Sequence, residues 1–334
     1  MLRQLGADVA GYALEPPTHP SLWEISSLGQ RVRQTYADVR DYDSLAHAFG
    51  DFKPQAVLHL AAQPIVLESY ERPLYTYETN VMGTVNVLEC VRECDSVTSF
   101  LNVTTDKVYE NLERPGYGYQ EDDKLDGFDP YSNSKSCSEL VTHSYAKSFF
   151  APESRGDAAG RCAISTARAG NVIGGGDFAD SRIVPDCVRS VASGSTMVIR
   201  NPNSVRPYQH VLEPLVAYLR IVAMQDEDRS VSGWYNIGPD DKDNVTTGEL
   251  VELFAKHWGS GFRYEVGNVD GPHEANFLKL DNSKAKRVLG WRPVWGVDEA
   301  ILRTVEWTKA WLDGDPSATE CMDKQINNYL GALD

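Results

Sequence analysis

Four residues in a row, Thr104-Thr105-Asp106-Lys107, follow the apolar run "SFLNV", and Tyr131 and Lys135 follow the loop that comes next. The types matter more than the count. A phenol can take a proton from an alcohol while hydride leaves the alcohol's carbon. A lysine four residues on shares a helix face with that phenol, and a nearby ammonium favours the phenolate and lowers its pKa. Thr104 and Thr105 add hydroxyls, Asp106 a carboxylate and Lys107 an amine at the other end of the loop. Tyr-x-x-x-Lys alone is common by chance, so these residues carry meaning only if the chain brings them together.

Alternating strand and helix signals supply that condition. "LRQLG" reads as the last turns of a helix with Gly6 as its C-cap, and "ADVAGYAL" as a short buried strand. "AVLHLAA" (Ala56 to Ala62) is a second strand, "YETNVMGTVNVLECVREC" a long helix and "SFLNVTT" a third strand. "NSKSCSELVTHSYAKSFF" is another helix, and "CAISTARAGNVIG" a strand with its exit loop. Continuous apolar strands separated by helices predict an α/β fold with a parallel sheet covered on both faces. Open sheets of this kind bind ligands beyond the carboxyl ends of their strands, where Thr104 to Lys107 lie. Further on, "YNIGP" reads as a short strand, "TTGELVELFAKHWG" as a capped helix, "SKAKRVLGWRP" as a helix closed by Gly290, and "GVDEAILRTVEWTKAWLDG" as a long amphipathic helix. The division expected is a first domain over 1–171 and a second, smaller one over 172–334, with a segment such as 209–225 returning to the first.

The net charge of −16 argues against a nucleic-acid binder or an anionic membrane surface. No apolar run reaches the length of a membrane span, and the first residues have no signal-peptide core. The six cysteines are scattered; Cys90 and Cys94, one helical turn apart, have no second ligand pair nearby, so thiols in a reducing cytoplasm are expected and no metal.

Taken together, the Thr105/Tyr131/Lys135 set and its surroundings resemble the extended short-chain dehydrogenase/reductase family over almost the whole chain. The resemblance implies a Rossmann-like domain, NAD as cofactor and a mixed α/β substrate domain. "YADVRDYDSL" resembles the segment in which Asp38 and Val39 meet the adenine, and "HLAAQP" the segment whose backbone at Leu60, Ala61 and Ala62 lies beside the cofactor. "NVMGT" puts Asn80 behind that strand, and Thr104, Tyr131 and Lys135 complete the cofactor set. "RAGNVIGGGD" resembles the strand exit that reaches a sugar nucleotide through Asn171; Arg182, Arg206 and His210 lie in segments like the family's nucleotide grip, with Arg168 nearby, and Gln63 and His273 join the substrate set. Gly174 to Gly176 come too late for a dinucleotide loop and read as a turn that lets backbone approach the ligand.

Epimerases of this family need no acid and base beside the threonine. Nucleotide-sugar 4,6-dehydratases carry such a pair, and the Thr-Asp-Lys form resembles those that act on CDP-glucose. That likeness implies Asp106 as the acid and Lys107 as the C5 base, giving a 4-keto-6-deoxy sugar. Another dehydratase, a 4-epimerase or a non-catalytic nucleotide-sugar-binding relative are the alternatives. The family's G-x-x-G-F-x-G loop precedes the first helix, whereas Met1 falls inside what should be that helix. Two expectations compete: a start placed late by roughly 20–30 residues, the size of a strand, loop and half helix, or a shortened relative that binds NAD poorly. Either way the sheet is expected to lack its first strand. Glu15 stands where it could meet an adenosine ribose, favouring NAD over NADP. The helices near Thr79 and Tyr131 imply, by the same resemblance, a homodimer or tetramer.

Overall fold

The computed structural model describes residues 1–154, 156, 158–267, 277–314 and 316–333. Residues 1–6 form hydrogen-bonded turns rather than a regular helix, closed by Gly6 at φ +85°. Strands β1 (Ala10–Ala13) and β2 (Arg33–Tyr36) then pair in parallel. The excursion between them carries α1 (Leu22–Ile25), capped by the Ser21 hydroxyl, and is tied down by Thr319, which donates to the Ile25 carbonyl. Helix α2 (Tyr42–Phe52) starts on Asp41 as N-cap and ends on Lys53 in the left-handed region. It leads into β3 (Ala56–His59).

After β3 come α3 (Val66–Glu71) and α4 (Pro73–Tyr77), the latter running through a π turn at Glu78–Met82 into α5 (Gly83–Glu93). The helix expected near Thr79 therefore begins at Pro73, a residue suited to a first helical position. Strands β4 (Ser99–Thr105) and β5 (Ala163–Ala169) are buried almost throughout, as interior strands of a parallel sheet must be. Between them lie the loop 109–129 and α6 (Pro130–Tyr145). The second half adds β6 (Asn171–Ile173), α7 (Ile183–Ser193), β7 (Thr196–Ile199), β8 (Val205–Arg206), β9 (Tyr208–His210) and α8 (Leu212–Glu227). The chain then forms β10 (Trp234–Ile237), β11 (Val245–Thr246), α9 (Thr247–Trp258), β12 (Arg263–Val266), α10 (Ser283–Leu289), α11 (Val297–Leu312) and α12 (Ser317–Gly331). Thr246 and Glu249 make a reciprocal capping box at the start of α9, and Gly290 closes α10 at φ +62°.

The central sheet runs β10-β5-β4-β3, all parallel; β1 and β2 form a separate pair, and among the described residues no strand bonds between β1 and β3. One face of the sheet carries α2 and α5 over Val87, Leu88, Val91, Phe100 and Ile164. On the other face lies α8: Gln225 donates to Ser99 Oγ and the Phe100 carbonyl, and Ser99 donates to the Val222 carbonyl. A second core, built from α7, α9, α11 and β7, holds the remainder of the second half together. Gly175 sits where these units meet, its Cα so close to the Trp307 indole that a Cβ would lie 2.2 Å from the ring.

Candidate functional site

Local sequence sets the first half of the site. Asp129 caps α6, accepting from Ser132 N, and Pro130 occupies the first turn. Tyr131 and Lys135 then follow one turn apart on the buried face, 9% and 4% exposed. That face meets the end of β4, where Lys135 Nζ donates to the Val103 carbonyl at 3.1 Å. Thr105 turns the chain: its hydroxyl donates to Asp106 Oδ1 at 3.0 Å and accepts from Lys107 N, closing a short 3₁₀ turn over Asp106–Val108. Asp106 is buried and its Oδ2 has no hydrogen-bond partner among the described residues. Lys107 is partly exposed.

Burial dominates the electrostatics here. It pushes the Asp106 carboxyl up, against the pull of Lys107, the Thr105 hydroxyl and Arg206. It drives the Tyr131 phenol to about 12, with a hydrogen bond to Thr105 and the charge of Arg182 acting the other way. It also lowers Lys135 to about 8. The expectation that the lysine lowers the phenol is therefore corrected. Both groups are out of water, and desolvation of each charged form is the largest influence on it. Lys135 still has donors to spare, because an ammonium offers three protons and Val103 takes one.

The two arginines expected at the nucleotide come to this place from distant segments. Arg206, on β8, is buried and its charge reaches Asp106. Arg182, the N-cap residue of α7, is partly exposed, lies 3.6 Å from Asp177, and its charge reaches Tyr131. Asn171 is half-buried on β6, opposite Tyr208 of β9. Arg168 does not join them. It is buried between β5 and α6, its Nε 3.0 Å from Glu139 Oε1 and its Nη1 2.7 Å from Tyr109 Oη. His210 is buried too. Its Nδ1 accepts from Leu212 N, its ring meets Trp295 edge-on, and burial lowers it to about 3, so it sits as a neutral core residue.

Gln63 turns inward, donating to Thr76 Oγ1 and accepting from Ile65 N, so its side chain braces the loop after β3. Asn80 bridges the Gln63 backbone and Ser134 Oγ from within the π turn, tying the strand end to α6. Asp38 is gripped by the Arg40 guanidinium, which lowers its carboxyl; Val39 packs against Gly83, where a Cβ would come within 2.7 Å. Leu60 is 51% exposed, with Ala61 and Ala62 half-buried beside it, an apolar ledge beyond β3. Thr104 faces away, donating to Glu139. Glu15 is exposed beyond β1. His273 lies outside the described residues. The glycine run also has a different cause from the one expected. Gly175 clears Trp307 and Gly176, at φ +83°, clears Leu22, so close packing inside the chain demands them.

Two groups escaped sequence reasoning. His59, at the end of β3, is buried with Nε2 3.1 Å from Thr84 Oγ1 and feels the Lys135 charge. Glu139 lies one turn beyond Lys135; the helical repeat Tyr131, Lys135, Glu139 was a visible signal for it. Among the described residues no cluster of three His, Cys, Asp or Glu side chains could hold a metal, and no helix is long and apolar enough to cross a membrane.

The family model for GDP-mannose 4,6 dehydratase matches residues 18–304. The chain belongs to this family. Among curated relatives in the dehydratase family, a CDP-glucose 4,6-dehydratase of Salmonella typhimurium is 43% identical over 99% of this chain and 91% of its own length. The dTDP-glucose 4,6-dehydratase 1 of Escherichia coli is 26% identical over 88% of this chain and 83% of its own. Solved structures share the fold. A UDP-glucose-4-epimerase of Stenotrophomonas maltophila, with bound NAD and formylated UDP-arabinopyranose, superposes with a TM-score of 0.79 at 21% identity, covering 93% of this chain and 94% of that one. The dTDP-glucose 4,6-dehydratase of Bacillus anthracis in complex with NAD gives 0.75 at 21% identity, over 95% and 93%.

Proposed function

We propose that this member of the family is an NAD-dependent CDP-glucose 4,6-dehydratase that forms CDP-4-keto-6-deoxyglucose in the cytoplasm. The observation that carries the reading is Asp106: a carboxyl buried next to Thr105, pushed toward its protonated form, with one oxygen lacking a hydrogen-bond partner among the described residues. A carboxylic acid held that way can donate a proton to a leaving hydroxyl. The 43% identity to the Salmonella enzyme supports the choice of substrate.

NAD, when bound, accepts hydride from C4 and returns it to C6. Tyr131 takes the C4 hydroxyl proton as the phenolate, a form that burial disfavours in the free protein and that a neighbouring cation must favour in the complex, and Thr105 holds the same oxygen. Lys135, with two donors beyond its bond to Val103, orients the nicotinamide ribose and offers positive charge to the phenolate. The resulting 4-ketone acidifies the C5 hydrogen. Lys107 removes that hydrogen while Asp106 protonates the C6 oxygen, so water leaves. Arg206 and Arg182 meet the diphosphate, where a guanidinium's planar fork suits phosphate oxygens. Asp38, Val39 and the Leu60–Ala62 ledge hold the adenosine half of the cofactor. Leu74 and Met82 on the α4–α5 helix and Leu140 on α6 are exposed apolar side chains, which supports pairing of these helices with a second copy; a mass of one chain by light scattering at micromolar concentration would count against that.

The test is Asp106→Asn combined with Lys107→Met. Thr105, Tyr131 and Lys135 stay in place, so CDP-glucose should still reduce the cofactor and NADH absorbance should accumulate. Release of 4-keto-6-deoxy product should fall by at least about 10²-fold, the usual worth of one positioned acid or base. Dehydration at close to the original rate would take the acid and base roles away from Asp106 and Lys107, and a wild type that forms no 4-keto-6-deoxy product would replace this reading with an epimerase or reductase.

A further inference from the structure

Glu139 is 0% exposed and takes no part in the chemistry just described. An ionised carboxylate in such a place needs several donors, and it has them. Thr104 Oγ1 donates to Oε1 at 2.5 Å and Thr166 Oγ1 to Oε2 at 2.8 Å. Arg168 grips both oxygens, Nε at 3.0 Å and Nη2 at 3.1 Å, and His143 Nε2 lies 3.2 Å from Oε2. Three elements thus meet on one carboxylate: α6 through Glu139 itself, β4 through Thr104 and β5 through Thr166 and Arg168. Thr104 immediately precedes Thr105. The same carboxylate is one helical turn beyond Lys135 and two beyond Tyr131, on the face they share.

We propose that Glu139 is a positioning residue for the Tyr131–Lys135 pair: it anchors their helix against the end of β4 and supplies the buried counter-charge for the Lys135 ammonium. The inference rests on the functional reading above. The groups around Lys135 leave this role to Glu139. From α6 it faces Tyr131, whose phenol is neutral at ordinary pH. From β3 it meets His59, a buried neutral imidazole. From β4 it has the Val103 carbonyl, and beyond that strand Asp106, pushed toward neutrality. On β5, beyond Glu139, stands Arg168, the cation paired with that carboxylate. Glu139 is the carboxylate in this shell held firmly ionised, its upward push from burial overcome chiefly by Arg168, to about 2. Burial lowers Lys135 and Glu139 raises it back.

A clamp and a counter-charge make different predictions. The protein is labelled with [ε-¹³C]lysine, the Lys135 resonance is assigned by its loss in Lys135→Met, and its titration is followed without cofactor or substrate. In the wild type the midpoint should lie near 8. In Glu139→Gln it should fall by roughly one pH unit or more, since Arg168 stays behind unopposed. In Glu139→Gln with Arg168→Met it should fall by less, because an opposing charge leaves with the carboxylate. That double variant also removes the stranded buried cation, which protects the fold if the single variant is too unstable to study. A midpoint unchanged or raised in Glu139→Gln, or no lower in the double variant than in Arg168→Met alone, with an intact amide spectrum, would reduce Glu139 to a mechanical clamp. Absence of CDP-glucose turnover in the NAD-loaded wild type would instead overturn the functional reading and leave this titration as it stands.

Discussion

Two buried carboxylates stand near the end of β4, and burial has opposite outcomes for them. Asp106, just past the strand end, receives one hydroxyl, with Oδ2 lacking a partner among the described residues; its carboxyl is pushed up. Glu139, between α6 and β4–β5, receives two hydroxyls and both arms of a guanidinium; against the same desolvation it is held at about 2. Burial does not set the charge of a carboxyl by itself. The cation and the donors that replace water do, for Glu139 the Arg168 charge first. The carboxylate rich in donors is suited to hold structure, and the one poor in donors fits the proton-donating role proposed for Asp106. The difference also tells which of the two can be neutralised without harm to the fold.

The largest expected effect is on Glu139. Glu139→Ala leaves Arg168 buried at 1% exposure with no carboxylate, and unfolding in urea should show a loss of about 3–5 kcal/mol. A loss below about 1 kcal/mol would mean that the cluster between α6 and β5 is not the strong ionic site its geometry describes.

A smaller effect of opposite sign is expected at Asp106. Asp106→Asn removes a charge the fold disfavours, and should raise the melting temperature by ~2 °C, what ~1 kcal/mol does to a chain of this size. A lower melting temperature would remove the contrast between the two carboxylates.

The smallest effect sharpens the comparison through pH. A carboxyl whose folded pKa is raised binds its proton earlier in the folded state than in the unfolded one. As pH falls from neutral through the folded pKa, wild-type stability therefore gains on Asp106→Asn, and the gap between them narrows. The lowered carboxyl of Glu139 behaves the other way: its stabilisation is full above the ordinary glutamate pKa and is lost as pH falls toward 2. Urea midpoints of wild type and Asp106→Asn at pH 7 and pH 5 check the first sign; a gap that widens on acidification would contradict it.

Much of this was visible along the chain. Tyr131 and Lys135 are a local matter: Asp129 and Pro130 start the helix, and a spacing of four puts both side chains on one face. Thr105 and Asp106 follow from a buried strand that ends where its apolar run ends. The long helices of the second half were legible for the same reason, through Thr246 and Glu249 at one start and Gly290 at one end. Less regular elements were not. Strands β6 and β9 are three residues each and exist because they pair with each other across 37 positions, Asn171 beside Tyr208.

What the sequence alone determined is the set of side chains with chemical capacity and the local elements that carry them, because capping, helical spacing and strand burial act over a few residues. Tertiary structure decided which capacities are realised. Arg168 and Arg206 are both arginines on strands near the same site, yet one is locked to Glu139 of α6 and the charge of the other reaches Asp106. His210 looked like a ligand and is a neutral core residue because Trp295 and the start of α8 enclose it. Gly175 looked like a ligand-binding turn and is required by the indole of Trp307, 132 residues later. In each case the deciding quantity is desolvation or close contact by residues remote in sequence, which no local pattern contains.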